Sequence, residues 1–225
     1  MPQTPENSMT ADPYARIAAW YDTLLNPVLD GVRRAVADVC RAERLLRVLD
    51  ACCGTGRQCA VLRGAGVTCV GTDLSPAMLG AARAVSVSAT SPLFSSPSLA
   101  LSRADARALP FADNAFDAVV LSLALHEMPE AMGNAALTEA LRVAPRVLLA
   151  DYRLAERNLD LPAALFVHLP ERLAGAEHYR NFRGFMARGG VEGLAHRAGL
   201  SVIRRERLFG GAGALLLAER NNKAR

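Results

Sequence analysis

From Tyr14 to Cys40, apolar residues recur every three or four positions: Ile17, Trp20, Tyr21, Leu24, Leu25, Val28, Leu29, Val32, Val36 and Val39. That period lines one face of a helix, and Pro27 is expected to break the stretch into two helices, because proline brings no N–H and crowds the preceding turn. The rhythm then changes. Short apolar runs at 47–50, 66–72, 99–103, 116–122 and 146–151 read as strands, with helices predicted at 58–63, from about Ser75 to Ala84, and at 133–143. Ser75-Pro76 supplies a cap and a first-turn proline for the second of these helices. The run Phe116 to Ser122 is apolar enough to be buried on both faces. Two last strands, 200–208 and 212–218, are joined by Gly210-Gly211, a hairpin signal. Strands alternating with helices predict an α/β fold: a doubly wound, mostly parallel sheet with helices on both faces, an antiparallel edge and an antiparallel final strand.

The chain of 225 residues suits a single domain over 14–225. It is preceded by a loose tail at 1–13 and interrupted by a serine-rich flexible loop at 86–98. Apolar residues at 51% and charged residues at 21% exclude a disordered chain. The net charge of +4 is spread over many arginines. It suits an anionic small molecule or a lipid surface and is too weak to argue for nucleic acid. The opening residues carry no basic-then-apolar leader, and no apolar run reaches the roughly 20 residues of a spanning helix, so a cytoplasmic protein is expected. Five cysteines, an odd number, argue against a disulfide framework. Cys52, Cys53 and Cys59 cluster, but they have no second Cys or His pair at ligand spacing, and no metal site is expected.

In a doubly wound sheet, ligands bind beyond the carboxyl ends of the strands. Four such ends carry chemistry here. Asp50 leads into Gly54-Thr55-Gly56, where glycine lets the backbone bend sharply and approach a ligand. Standing alone, this turn is as often an ordinary tight turn as a site. Asp73 follows the second strand and can accept both hydroxyls of a ribose, or simply cap a helix. Asp105-Ala106 follows the third and could face an adenine; Ser122 to Glu127, with His126, follows the fourth. The dinucleotide fingerprint needs a third glycine, and Arg57, Gln58 and Cys59 follow Gly56 instead. The acid at Asp50 would repel a pyrophosphate but can help hold the ammonium of a methionine moiety, which favours S-adenosylmethionine (SAM).

These segments resemble a known family. Val48-Leu49-Asp50-Ala51-Cys52-Cys53-Gly54-Thr55-Gly56 is similar to the first motif of class I SAM-dependent methyltransferases, in the variant of the ubiquinone/menaquinone biosynthesis C-methyltransferases. Gly71 to Leu79 and Asp105 to Asp117 resemble that family's second and third motifs. The resemblance implies a Rossmann-like fold, SAM as cofactor and S-adenosylhomocysteine (SAH) as product. It implies cofactor contacts from Ala51, Cys52, Leu74, Met78, Ala106 and Ser122 beside Asp50, Gly54, Gly56, Asp73 and Asp105. Tyr14 to Asp22 also resembles the opening helix of this group and of soluble phosphatidylethanolamine N-methyltransferases, so 14–43 is expected to cover the cofactor and Tyr21 to reach its methionine end.

Cys52 stands where many relatives have glycine, and residues 154–190 match no specificity motif. The segment 154–198 is therefore read only as an acceptor-side cover, and the acceptor as a small or lipid-like molecule, with peripheral membrane contact left open. His126 is the candidate general base, with a passive pocket-lining role as its alternative. Tyr179, Phe182, Phe185 and Met186 fit the buried face of a cover helix, with Arg180 and Arg183 outward. The stretch Leu123 to Glu127 lacks the Asn/Asp-Pro-Pro-aromatic run used on a flipped base, so no nucleic-acid partner is expected. A SAM-binding protein without transfer activity and a nucleotide-dependent oxidoreductase remain as alternatives. The atom methylated and the oligomeric state are not set by the sequence.

Overall fold

The computed structural model describes residues 18–87 and 99–221, without the side chains of residues 18–28, 84–87 and 166. The tail expected at 1–13 lies outside the described residues. So does the expected loop from residue 88 onward; its first two residues continue a helix.

A long helix, α1 (Ala18–Ala42), opens the fold. It runs through Pro27 without the expected break. The apolar positions on either side of Pro27 keep one helical phase, and burial of Val32, Val36 and Val39 at under 3% exposure holds the helix together across one missing hydrogen bond. Strands and helices then alternate: β1 (Arg47–Ala51), α2 (Arg57–Gly64), β2 (Thr68–Asp73), α3 (Pro76–Val87), β3 (Ala100–Arg103), β4 (Ala118–Ser122), α4 (Glu130–Val143) and β5 (Arg146–Tyr152). Four helices follow, α5 (Leu161–Phe166), α6 (His168–Leu173), α7 (Ala176–Ala187) and α8 (Gly190–Arg197), before β6 (Leu200–Leu208) and β7 (Gly213–Arg220).

The strands form one sheet in the order β3-β2-β1-β4-β5-β7-β6. β1 pairs in parallel with both β2 and β4, so the chain reverses its direction of travel across the sheet at β1 and opens a crevice at the carboxyl ends there. The doubly wound α/β fold is as expected, mostly parallel with an antiparallel final strand. The antiparallel strand is the last in sequence but not at the edge: β7 lies between β5 and β6 and runs antiparallel to both. Burial explains the order. β7 is apolar and buried from Gly213 to Ala218, which suits an interior strand, whereas β6 carries Arg204, Arg205, Glu206 and Arg207 and suits an edge that repels further pairing.

Helices cover both faces. Leu49, Ala51 and Leu121 point toward α4, α7 and α8, while Val48 and Val120 point toward α1, α2 and α3. The guanidinium of Arg57, at the start of α2, donates from Nε and Nη2 to the two carboxylate oxygens of Asp30 on α1, at 3.0 Å each. Gly71 in β2 fits against the glycine turn itself. A Cβ there would fall 2.6 Å from Leu101 Cδ2 and 2.9 Å from Cys53 Sγ. Gly71→Ala is therefore expected to destabilise the protein by about 1–3 kcal/mol through overpacking, read as a lowered melting temperature; a melt that does not move would show this layer to be loosely packed.

Candidate active site

The end of β1 is shaped by three left-handed residues at alternate positions: Cys52 at φ +65°, Gly54 at +53° and Gly56 at +71°. The Cys53 N–H donates to Thr72 O at 2.9 Å, which ties the turn to β2, and Gly56 N–H closes it onto Cys53 O at 2.9 Å. A Cβ on Gly54 would meet nothing within 4 Å, so the side-chain side of its Cα faces open space. Cys52 adopts without help a conformation that glycine takes freely, at a cost of about 1–2 kcal/mol. This sharpens the expectation from sequence, in which a small side chain at this position should cost little.

Asp73 stands across from the turn. Its Oδ2 accepts the Gly54 N–H at 2.7 Å and its Oδ1 accepts the Ser75 N–H at 2.8 Å. Ser75 Oγ in turn accepts the Met78 N–H at 3.1 Å, capping α3 as its sequence implied. Leu74 beside it is 52% exposed, while Met78 is buried behind.

Asp50 is placed differently from its neighbours. It is 2% exposed, beneath the turn, and accepts the Cys59 thiol at 3.7 Å, which is itself contacted by the Cys69 thiol. Burial pushes its carboxyl up to about 7; the Cys59 thiol opposes this and the charge of Asp73 adds to it. All five cysteines are free thiols, in keeping with the absence of a disulfide framework.

At the end of β3, Asp105 is engaged by its neighbour. Arg107 reaches it from its own N–H and from both Nε and Nη2, the last at 2.6 Å, and holds its carboxyl below the usual range. Ala106 is buried beside it. The strand ends converge. Burial first, then the charges of Asp73, Asp50, Glu127 and Asp105, all push the Cys52 thiol upward, so acids from the ends of β1, β2, β3 and β4 are felt at one residue. Tyr21 lies on α1, with its side chain outside the described residues.

Beyond β4, Ser122 is half-buried, Leu123 turns at φ +52°, and a short 3-10 turn over Leu125–Glu127 places His126 in the interior at 2% exposure. Here the structure assembles a group that sequence reasoning missed. His126 Nδ1 lies 2.7 Å from Asp151 Oδ1 on β5, and Asp151 Oδ2 accepts the N–H groups of Leu125 at 3.1 Å and His126 at 3.3 Å. On its other side, His126 Nε2 is 3.5 Å from Glu171 Oε2 on α6 and 3.9 Å from Glu127 Oε1. Glu171 Oε1 accepts the Tyr152 hydroxyl at 2.8 Å, and its Oε2 meets His178 Nε2 from α7.

Burial alone would lower the His126 pKa, but Asp151 and Glu171 overcome it and hold the ring's proton well above the usual histidine range. Glu171 is pushed up by burial and pulled further down by hydrogen bonds from His126 and His178, ending below the usual carboxylate range. This setting favours the protonated ring, the opposite of what a general base needs. Asp151 could have been found, since it is one more acid at a strand end. Glu171 and His178 could not, because only tertiary packing of α6 and α7 brings them to His126.

A sheet that reverses order over an acid-lined glycine turn defines a nucleoside-binding α/β enzyme. A family model described as a methyltransferase domain matches residues 48–145. An uncharacterised methyltransferase of Synechocystis sp. PCC 6803 is 30% identical over 181 residues, covering 79% of this chain and 76% of that protein. Demethylmenaquinone methyltransferase of Beutenbergia cavernae is 37% identical over 123 residues, 53% of this chain and 46% of that protein, so the match spans about half of that relative's length. Among solved structures, magnesium protoporphyrin IX methyltransferase from Synechocystis PCC 6803 with bound SAH has a TM-score of 0.65 at 20% identity, covering 96% of each chain. An O-methyltransferase family protein from Burkholderia thailandensis also reaches 0.65, at 18% identity over 92% of this chain and 60% of that one. These two share the fold. The chain belongs to the class I SAM-dependent methyltransferases, which sets aside the oxidoreductase alternative.

Two substitutions test the turn. Cys52→Gly relieves the left-handed strain and, after the entropy glycine adds to the unfolded chain, is expected to stabilise by about 0.5–1 kcal/mol in chemical denaturation. Asp50, raised from 3.8 to about 7, favours the folded state only while protonated. Its contribution is therefore lost as pH climbs from about 4 through 7. Asp50→Asn is expected to raise the melting temperature more at pH 8.5 than at pH 5; an equal gap at both values would contradict a buried neutral acid.

Proposed function

We propose that this methyltransferase holds SAM along the carboxyl ends of β1, β2 and β3 and methylates a small-molecule acceptor with an apolar, lipid-like body. The observation that carries the first half is the Asp73 carboxylate bonded across to the Gly54 amide, with the Gly54 side open. Bound there, SAM supplies a methyl group made electrophilic by its sulfonium.

The residues fit that ligand. A carboxylate at the end of β2 suits two ribose hydroxyls, a charge-assisted bidentate contact. Leu74 offers exposed apolar surface to one face of an adenine, with Ala106 and Met78 packed nearby. Asp105 can accept an amino group through the lone pairs that Arg107 leaves. Gly54, Gly56, Ala51 and Cys52 present backbone, Ser122 lies at the adjoining end of β4, and Asp50 acts from beneath the turn on a cationic methionine end. Tyr21 on α1 completes the cover in this reading. The chain's own work is to align donor and acceptor and exclude water, an effect worth several kcal/mol. His126 need not act as a base for an acceptor that arrives without a proton to lose.

Residues 154–198 support the apolar acceptor. α5 and α6 present Leu161, Leu165, Leu169 and Leu173 four residues apart, each at least 49% exposed, while α6 turns Glu171 inward toward His126. Exposed leucines recurring along two consecutive helices suit contact with an apolar body. Arg180 and Arg183 line a neighbouring depression on α7 and suit an anionic headgroup, either on the acceptor or on a membrane surface touched peripherally. Among the described residues no helix is long and apolar enough to cross a membrane. The relatives named for demethylmenaquinone and magnesium protoporphyrin IX are consistent with a small-molecule acceptor.

SAH is expected to raise the melting temperature, and Asp73→Ala to weaken SAH binding at least about tenfold in calorimetry, since it leaves ribose hydroxyls without their charged acceptor. Absence of any SAH-induced shift in the wild type would remove the cofactor assignment. For the acceptor, labelled SAM offered with quinone precursors, phospholipids and small polar amines is expected to label the first two classes; transfer to the amines alone would remove the lipid-like assignment.

A further inference from the structure

We propose that Nε2 of His126, Nε2 of His178 and the carboxylates of Glu127 and Glu171 form a binding site for a divalent first-row transition-metal ion. One donor atom from each of His126, Glu127 and His178 lies within 4.8 Å of the other two. Glu171 Oε2 stands between the rings, 3.5 Å from His126 Nε2 and in contact with His178 Nε2. With metal–ligand bonds of roughly 2.0–2.2 Å, donors around one ion are roughly 3–4.3 Å apart. His126 Nε2 is already at that scale from Glu127 Oε1, at 3.9 Å, and from Glu171 Oε2, at 3.5 Å, while the set of His126, Glu127 and His178, bounded at 4.8 Å, closes on an ion by small side-chain shifts.

The surroundings are those of an oriented ligand set. Asp151 binds Nδ1 of His126 and thereby aims Nε2 into the cluster, the arrangement that fixes ring direction in metal sites. Asp151 is itself immobilised by the N–H groups of Leu125, His126 and Tyr152. The Tyr152 hydroxyl occupies Oε1 of Glu171 and leaves Oε2 facing the rings. Three carboxylates, from Asp151, Glu127 and Glu171, thus surround two imidazoles in a largely buried cluster, a charge pattern that favours a cation. The side chains of His178 and Glu127 are 21% and 24% exposed, which gives an ion a way in. Two nitrogens and two oxygens suit manganese to zinc better than calcium, magnesium or copper(I), and leave an octahedral ion further positions for oxygen ligands.

The site does not rest on the cofactor assignment, because SAH binding is measured separately on the metal-stripped protein. The full chain, stripped with chelator, is titrated at pH 8 with cobalt(II) by visible absorption and with zinc(II) by calorimetry. One equivalent per chain is expected. His178→Ala and Glu127→Gln should each weaken binding at least about tenfold, and Asp151→Asn by about 10–100-fold with the stoichiometry kept, as expected of a residue that orients a ligand. The exposed His196, at the end of α8, serves as control, and His196→Ala should leave binding unchanged. Circular dichroism checks each fold; Glu127→Gln carries the test if His178→Ala does not fold. Failure of both ions to saturate a site, or affinity indifferent to His178→Ala and Glu127→Gln, overturns the proposal and leaves the cluster as a protonated structural network.

Discussion

At the carboxyl edge of this sheet the strands run out of neighbours, and their last amides need acceptors that no strand supplies. Carboxylates meet that need. Asp73 takes the amides of Gly54 and Ser75, and Asp151 takes those of Leu125, His126 and Tyr152. Each acid joins one strand end to the next segment, so the turns that form the crevice are held by the same groups that give it its charge. The acidity of the site is a consequence of how the sheet ends.

Much of this was legible because it is local. The glycine turn, Asp73 and the Ser75 cap lie within short stretches whose spacing reports their geometry directly. The strands were legible because their interior position makes them continuous apolar runs. Pro27 misled, since a helix held by a long buried face can tolerate a residue that local rules place at a boundary. The position of β7 was not legible for a related reason: sequence order gives the direction of a hairpin but not which of its strands is inserted inward. Only the contrast between Leu215-Leu216-Leu217 and Arg204-Arg205-Glu206-Arg207 carries that information, and it is a contrast of burial, not of turn chemistry.

The polar group around His126 was illegible because its members come from four separate elements. His126 and Glu127 lie after β4, Asp151 and Tyr152 on β5, Glu171 on α6 and His178 on α7. The short helices α5 to α7 look like filler in sequence, yet they have two distinct sides, one bringing an acid and an imidazole inward and the other leaving leucines in solvent. Leu169 and Leu173 share α6 with the inward-facing Glu171, so whatever meets these leucines also approaches the polar group.

The inward position of β7 has a consequence for how the chain is made. β5 is complete at Tyr152, but its outer edge has no partner until residues 213–220 emerge, and β6, although synthesised earlier, has nothing to pair with until then. During synthesis the sheet therefore carries an open apolar edge while four helices and β6 pass by. Closure of the sheet is a late, long-range event, and the interval before it is when the nascent chain is most exposed to pairing with the wrong partner.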